Sequence, residues 1–280
     1  FKKNVQLQNE FNIPSKVLTK AEALKIVPHL NPDSFLSATF CHTDGHLNPF
    51  KMTEAYMLAA KKLGVTFNFF EEVIAIKTNE HRIIHVTTTK TTYEVDQVVN
   101  AAGGYSHEVG LLANVDIPVY SEKHEILATE PTTKIQGPMV MSFSKNIYCQ
   151  QVPHGAFLMG RSDPHVPHNH DIESSWKFID EMAKTLTHIL PPLGKLRLVR
   201  QWAGHYNMSP DRQPILGTVN ELSNFFVACG FSGHGFMFAP MTGEILADIM
   251  LSHPTRFDVS ELSIQRFKNQ TSFHHESSVV

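Results

Sequence analysis

The chain has 280 residues, 42% apolar and 18% charged, with 16 Pro and 15 Gly, a composition that excludes a disordered tail or a low-complexity array. Its formal charge of −3 speaks against a nucleic-acid surface, which needs a basic stripe, and no apolar run approaches the roughly 20 residues of a membrane span. Cys41, Cys149 and Cys229 lie far apart with no C-x-x-C pairing, as expected of free thiols in a reducing, cytoplasmic compartment.

The sequence opens at Phe1 rather than Met, and Phe1 to Glu10 is polar with no signal-peptide core; the start reads as a truncation or processing point. Thr19 and Glu22 form a capping box before a short helix that Pro28 ends. Asn48 and Pro49 supply the cap and first residue of a second helix. Along it Met52, Tyr56, Ala59 and Leu63 recur at intervals of 4, 3 and 4 as one apolar face, and Gly64 closes it. The period then changes to 2. Val65, Phe67 and Phe69, then Val73 to Ile76, Ile83 to Val86 and Tyr93 to Val95 predict a meander of short strands. Gln97 to Asn100 runs apolar into Ala101-Ala102-Gly103-Gly104, the pattern of a buried parallel strand ending on a close-approach turn.

From Ile117 to Arg161, short apolar runs separated by turn residues predict an antiparallel sheet. Trp176, Ile179, Ala183, Leu186 and Leu190 predict a helix stopped by Pro191-Pro192, and Leu196 to Trp202 a further strand. Phe225 to Cys229 is a second buried strand. It leads into Gly230-Phe231-Ser232-Gly233-His234-Gly235 and a helix predicted after Pro240 through about Leu251, with Gly243 and Ala247 laid against a sheet. Such glycines let the backbone approach a flat or anionic ligand at a helix N-terminus, although the spacing alone fits a tight strand-to-helix connection equally well.

Taken together, Gly230 to Phe236 with Ala239-Pro240 and Gly243 resembles the C-terminal flavin-binding signature of the FAD-dependent D-amino-acid oxidase superfamily. The similarity is greatest to the branch of sarcosine oxidase, its β-subunit relatives and the imino-acid dehydrogenases. Asp44 to Pro49 is similar to its "DGhldP" turn, Val99 to Gly103 to its "vVnAAG" strand end, and Trp202-Ala203-Gly204 through Asp211 to Gly217 to its "WAG…tpD..PiiG" element. Phe11 to Pro28 resembles the stretch before the first interdomain crossing, and the likeness extends to about Phe267. It implies a mixed α/β (α+β) fold: a Rossmann-like FAD-binding domain over 60–110 and 203–255, interleaved with an antiparallel-sheet substrate domain over 11–59 and 111–202, then a tail over 256–280. Members open with a βαβ unit carrying a G-x-G-x-x-G turn that cradles the dinucleotide phosphates. No such turn opens this chain, so it is expected to be a fragment or a degenerate copy.

The resemblance implies FAD contacts at Val73, Ala101, Ala102 and Gly103 and along the loop Gly230, Phe231, Ser232, Gly233, His234, Gly235, Phe236 and Met237. Tyr206, His234 and Met237 are the implied catalytic positions. Tyr206, five residues before Asp211, stands where sarcosine-oxidase-like members contact substrate. Met237 replaces their carboxylate-binding Lys, so the carboxylate must find another cation, or the substrate lacks one. Gly204 replaces the cysteine that links flavin covalently in monomeric members. Leu158 aligns with an oxygen-activating Lys, whose loss favours a dehydrogenase over an oxidase. The implied reaction is FAD-dependent oxidation of a C–N bond in an amino or imino acid of sarcosine, dimethylglycine, proline or D-amino-acid type. Hydride passes to flavin N5 and electrons leave to an acceptor or partner subunit. The amine reacts in its neutral form, so the site need not hold a dedicated base. The alternative is a catalytically inactive flavoprotein-like scaffold or regulatory subunit. His165, His168, His170 and Asp171 have metal-like spacing but sit in a loop-like, proline-bearing stretch, and no metal is expected. One of Lys123, His124 and Glu125 is a candidate to line the site, with the surface the stronger expectation, and Arg161 and Arg200 are candidate bidentate partners of a carboxylate, with ordinary surface ion pairs favoured.

Overall fold

A computed structural model describes residues 1–163, 165 and 167–269. In chain order its elements are α1 (Lys2–Glu10), β1 (Ser15–Leu18), α2 (Lys20–Ile26), β2 (Ala38–Cys41), α3 (Pro49–Lys62), β3 (Val73–Asn79), β4 (Arg82–Thr88), β5 (Thr92–Glu94), β6 (Val98–Asn100), α4 (Ser106–Leu112), β7 (Tyr120–Thr129), β8 (Val140–Ser142), β9 (Ile147–Gln151), β10 (Phe157–Ser162), α5 (Trp176–Ile189), β11 (Leu198–Met208), β12 (Ile215–Thr218), β13 (Phe225–Cys229), α6 (Gly235–Met250) and α7 (Arg266–Asn269). The strands form an antiparallel sheet β11-β7-β10-β9-β8, a mixed sheet β12-β13-β6, the meander β3-β4-β5 and the pair β1-β2. The fold is mixed α/β, as expected.

β13 explains the arrangement. All five of its residues are buried, so it reads as an unbroken apolar run rather than an alternating one. Phe225, Val227 and Cys229 join Ile215, Val115, Ile117 and the meander residue Ile83 in one core. Phe226 and Ala228 face the other way, onto Ile245 and Leu246 of α6. On one side β13 pairs antiparallel with β12, on the other parallel with β6, Val227 opposite Asn100. Asn224 ties the meander to this core. Its Oδ1 accepts from the Ile83 N–H at 2.8 Å, and its Nδ2 donates to the Ile83 carbonyl at 2.9 Å and the Asp96 carbonyl at 2.8 Å.

The larger sheet alternates. Leu127, Cys149, Phe157 and Met159 face α5, which buries Phe178, Met182, Leu186 and Ile189 against them. Its other face carries the even-numbered side chains of β7, β10 and β11. β11 runs unbroken through the domain boundary expected at 202/203, paired with β7 from Leu198 to Met208, and 113–119 packs in the core of the mixed sheet.

The local signals hold: Thr19 and Glu22 form a capping box, Asn48 caps α3 at the Lys51 N–H, and Gly64 takes φ +92° behind it. Other expectations change. The polar start folds as α1, with no buried residue. The apolar face of α3 is uncovered, Tyr56 at 52% and Leu63 at 86% exposure. Val65 to Phe69 is irregular rather than a strand; Phe67 and Phe69 stack on each other, with Lys61 over both rings. The buried stripe of α5 is rotated from the predicted one, because the sheet lies under Phe178 and Met182 while Trp176 points to solvent. Pro240 lies inside α6, since Gly233 at φ +92° turns the chain early and His234 becomes the residue before the helix. Gly243 and Ala247 face outward, with nothing within 4 Å of where a Gly243 Cβ would stand. The tail beyond 269 lies outside the described residues.

Candidate active site

The site begins with topology. β6 and β13 are parallel neighbours, so the turns that leave them, Ala101–Gly103 and Gly230–His234, emerge side by side at their carboxyl ends. Crevices beyond the carboxyl ends of parallel strands are where α/β folds bind ligands. Asn100, 2% exposed, shapes the first turn: its Oδ1 accepts from the Ala102 N–H at 3.2 Å and its Nδ2 donates to the Ser106 carbonyl at 2.8 Å.

The second turn is clamped by the end of β11. The Gly230 N–H donates to Asn207 Oδ1 at 2.5 Å, the Ser232 N–H to the Asn207 carbonyl at 2.9 Å, and the Ser209 N–H to Ser232 Oγ at 3.3 Å. Gly230 (φ +69°), Ser232 (φ +50°) and Gly233 (φ +92°) all take left-handed backbone, a conformation that favours glycine. At Gly233 the requirement is doubled, because a Cβ would stand 2.9 Å from Tyr206 Cε2. The loop therefore lies flush against the Tyr206 ring. Beyond it, the N–H groups of Gly235, Phe236 and Met237 find no acceptor among the described residues, the usual state of a first helical turn and a source of partial positive charge.

Tyr206 is the end of a stack. Its ring lies 4.4 Å from the His124 ring at 12°, and His124 lies 5.6 Å from Tyr148 at 2°. His124 Nδ1 is 3.1 Å from Ser162 Oγ and Nε2 is 3.2 Å from Tyr148 Oη. Burial lowers the imidazole pKa to about 4, so it is neutral at ordinary pH. Burial also pushes the Tyr148 phenol up, and burial with the nearby Glu122 raises Tyr206. Tyr206 Oη itself makes no hydrogen bond among the described residues, which leaves it available to a ligand. Glu122 stands directly opposite Tyr206 in the β7–β11 register.

The sequence-derived residues thus divide. Ala101, Ala102, Gly103, Gly230, Gly233, His234, Gly235, Phe236, Met237 and Tyr206 come together. Ser232 is fully buried, with its Oγ donating to the Gly230 carbonyl at 3.1 Å, and braces the loop from inside. Phe231 packs toward α6. Val73 starts β3, which packs on α4. Met237 is 62% exposed. Leu158 shares the Tyr206 face, paired with Ala128. Arg161 is on the opposite face, 3.5 Å from Glu181, and Arg200 lies over the Trp202 ring. For Lys123, His124 and Glu125 the favoured surface placement is corrected, and His124 is the one that lines the site, against Tyr206. His124 and Glu125 are buried, and Lys123 pairs with Asp171 at 2.8 Å. His168 and His170 stack on Tyr120 and Tyr105, and His170 Nε2 sits 2.7 Å from Glu108. Among the described residues no three His, Cys, Asp or Glu side chains are placed to hold a metal ion.

Sequence reasoning missed Asn100, Asn207 and Ser209. Asn100 had a local signal, since Asn at a strand end often accepts from its own backbone two residues on. Asn207 and Ser209 had none, because their partners lie 23 residues away.

Residues 1–249 match the family model for FAD dependent oxidoreductases, DAO. The chain belongs to this family. It is similar to the L-proline dehydrogenase of P. horikoshii, with 33% identity and TM-score 0.91 over 96% of this chain and 72% of that one. The glycine oxidase structure from Geobacillus kaustophilus shares the fold at TM-score 0.87 and 24% identity, over 95% of this chain and 70% of that one. The mitochondrial dimethylglycine dehydrogenase of Rattus norvegicus is 26% identical over 89% of this chain but only 31% of its own length. The sarcosine oxidase subunit beta of Rhodobacter capsulatus is 24% identical over 96% of this chain and 65% of its own length. The chain thus spans about a third to two thirds of these curated relatives.

The residues present fit the ring end of a flavin. Gly103 and Gly204 face open space, the Gly233 turn is flat against Tyr206, and three free N–H groups at the start of α6 suit a ring that gains negative charge on reduction. Among the described residues no helix is long and apolar enough to cross a membrane.

Proposed function

We propose that the protein is an enzyme that oxidises the C–N bond of an amino or imino acid of sarcosine, dimethylglycine, proline or D-amino-acid type. Bound FAD would supply the hydride acceptor. The observation that carries this reading is the meeting of two glycine-bearing turns at the ends of parallel β6 and β13 with the open phenol of Tyr206. Its support from the comparisons is the family and the similarity to an L-proline dehydrogenase and a dimethylglycine dehydrogenase.

In this reading the chain's residues divide the work. The backbone of Ala101–Gly103 and Gly230–Met237 holds the flavin, and the first turn of α6 favours the charge that builds on it. His234, which makes no side-chain hydrogen bond among the described residues, donates to the ring edge. Tyr206, fixed between His124 and Gly233, orients the substrate, and Phe236 and Met237 exclude water from it. Val73 is proposed as a more distant contact. Leu158 puts no cation on the Tyr206 face, which supports a dehydrogenase that passes electrons to a separate acceptor or partner subunit. We also place the flavin unit in the mixed sheet and meander, and the substrate unit in the five-stranded sheet, with β11 shared between them.

The test is anaerobic titration of the full-length protein with sarcosine, dimethylglycine, proline and D-amino acids. Bleaching of the flavin bands by one of them supports the reading, and a folded protein without flavin absorbance refutes it in favour of a scaffold. Comparing peroxide release with dye reduction decides the rest: rapid peroxide production would overturn the dehydrogenase assignment.

A further inference from the structure

Four acidic or histidine side chains are counted as buried among the described residues: Glu122, His124, Glu125 and Asp211. Three are fully occupied. His124 bonds Ser162 and Tyr148. Glu125 accepts from the Ser175 N–H, Ser175 Oγ and Gln201 Nε2 at 2.8–2.9 Å. Asp211 binds Arg266 at 2.7 Å. Glu122 is the exception. The residue is 7% exposed, it makes no hydrogen bond and no ion pair within 4 Å with any described residue, and its carboxyl oxygens are not sealed from solvent.

Its position is specific. Glu122 is the direct cross-strand partner of Tyr206, so both side chains leave the sheet on one face. His124, two residues along the same strand, shares that face and stacks on Tyr206. The charged and titratable groups around Glu122 are Tyr206 on β11, Tyr120 on its own strand, Arg212 in the turn after β11, His168 in the loop before α5 and Asp163 just past β10. Burial and Asp163 raise the carboxyl pKa, Arg212 and His168 pull it down, and the net direction is up.

Protein donors fill Glu125 and Asp211, whereas the Glu122 oxygens reach the crevice with no protein donor on them, which leaves them open to a donor that a ligand brings. Resting on the function proposed above, we propose that Glu122 is a catalytic residue that receives the substrate amine, accepting the N–H of its ammonium form and removing that proton. The N–H bond breaks and an O–H bond forms on the carboxyl oxygen. The nitrogen keeps its electron pair, the state from which the neighbouring carbon can give up hydride. Tyr206, on the adjoining strand, fixes the other end of the substrate. The site therefore holds a base of its own, which the sequence reading did not require. A raised carboxyl pKa suits the task, since it brings the acceptor closer to that of the amine it deprotonates.

The experiment uses the full-length flavoprotein and two isosteric probes, glycine betaine and 3,3-dimethylbutanoate, which differ only in carrying or lacking a fixed positive charge. Binding of each is read from the perturbation of flavin absorbance. The native protein is expected to prefer the betaine by more than about thirtyfold, the lower end of what one partner of a buried charge pair is worth. The preference should grow as pH rises through the Glu122 titration. Glu122→Gln should abolish the preference, and Glu122→Asp should keep part of it. With an oxidisable amine, Glu122→Gln should move the rise of the bleaching rate to the pH at which the free amine itself loses its proton. Equal betaine preference in native and Glu122→Gln proteins, with an unshifted pH profile, overturns the proposal. If Glu122→Gln does not retain flavin, Glu122→Asp decides on the same readouts. If no amine bleaches the native flavin, the function proposed above fails, while the probe pair still tests the charge of Glu122 separately.

Discussion

Replacing Arg266 with methionine removes the guanidinium from the most enclosed ion pair among the described residues. Arg266 and Asp211 side chains are each 7% exposed. The contact is bidentate, Nε to Asp211 Oδ2 at 2.7 Å and Nη2 to Oδ1 at 3.0 Å. The other N–H groups reach the carbonyls of Gln213, Leu262 and Ser263 at 2.8–3.2 Å. Without the guanidinium, Asp211 keeps only Ser209 Oγ and the Gln213 N–H as donors, both at 3.1 Å. Breaking such a pair from one side strands a buried charge and costs about 3–5 kcal/mol, whereas replacing both partners by apolar residues is often near neutral. Arg266→Met should therefore lose about 3–5 kcal/mol in urea unfolding followed by tryptophan fluorescence at pH 7, and Asp211→Leu with Arg266→Met should recover most of it.

The pH dependence checks the cause. Burial pushes the Asp211 carboxyl up, but hydrogen bonds from Arg266, Gln213 and Ser209 outweigh it and hold it below its ordinary value of 3.8. A carboxylate depressed in the folded state stabilises above its unfolded pKa and loses that contribution as pH falls through the folded one. The native protein should thus lose stability below about pH 4 from this group, while Arg266→Met, whose acid prefers to be neutral, should gain relative stability there. The pair also braces the site, because Ser209 links Asp211 to the Gly230–Ser232 loop. A loss below about 1 kcal/mol at pH 7, the scale of an exposed pair, or a double variant as unstable as the single one, would refute the reasoning.

Gly233→Ala should cost about 1–2 kcal/mol from its positive φ alone, and more from the contact with Tyr206; adding Tyr206→Ala should return only the contact part, as read from urea midpoints. Asn224→Ala strands the buried Ile83 N–H and removes a donor from the Ile83 and Asp96 carbonyls, the latter keeping Arg82 Nη2, and should lose about 2–3 kcal/mol in the same assay. Cys149 and Cys229 are buried, with thiols pushed up to about 12 by that burial, while Cys41 is partly exposed. Only Cys41 among the three should react with a thiol reagent in the folded protein near pH 8, and all three after unfolding; fast modification of Cys149 would place it outside the core.

Much of the site was legible because its parts are local. V-V-N-A-A-G and G-F-S-G-H-G encode strand, turn and backbone freedom within a few residues, and the resemblance supplied their joint meaning. Helix starts were legible where a side chain caps its own chain, at Thr19 and Asn48. The start of α6 was not, since Pro240 is a strong start signal in isolation and the actual start follows from the fit of Gly233 to Tyr206, contributed by a strand 27 residues earlier. The apolar stripes of α3 and α5 were legible as stripes. Periodicity reports which residues share a face and says nothing of what covers it: α5 turned Phe178 and Met182 to the sheet instead, and α3 kept its stripe exposed.

By itself, then, the sequence determined that β13 would be buried on both faces, that two glycine-bearing turns would follow two short strands, and that these turns resemble the family's flavin-binding elements. Tertiary structure alone decided that those turns stand side by side, that Asn207 and Ser209 hold one of them, and that Tyr206, His124 and Tyr148 form a single stack. It also decided that Glu122 stands opposite Tyr206 with no hydrogen bond to a described residue. The reason is physical: hydrogen bonds and ring contacts between residues tens to more than a hundred positions apart depend on strand register and pairing, and no short stretch of sequence carries that information.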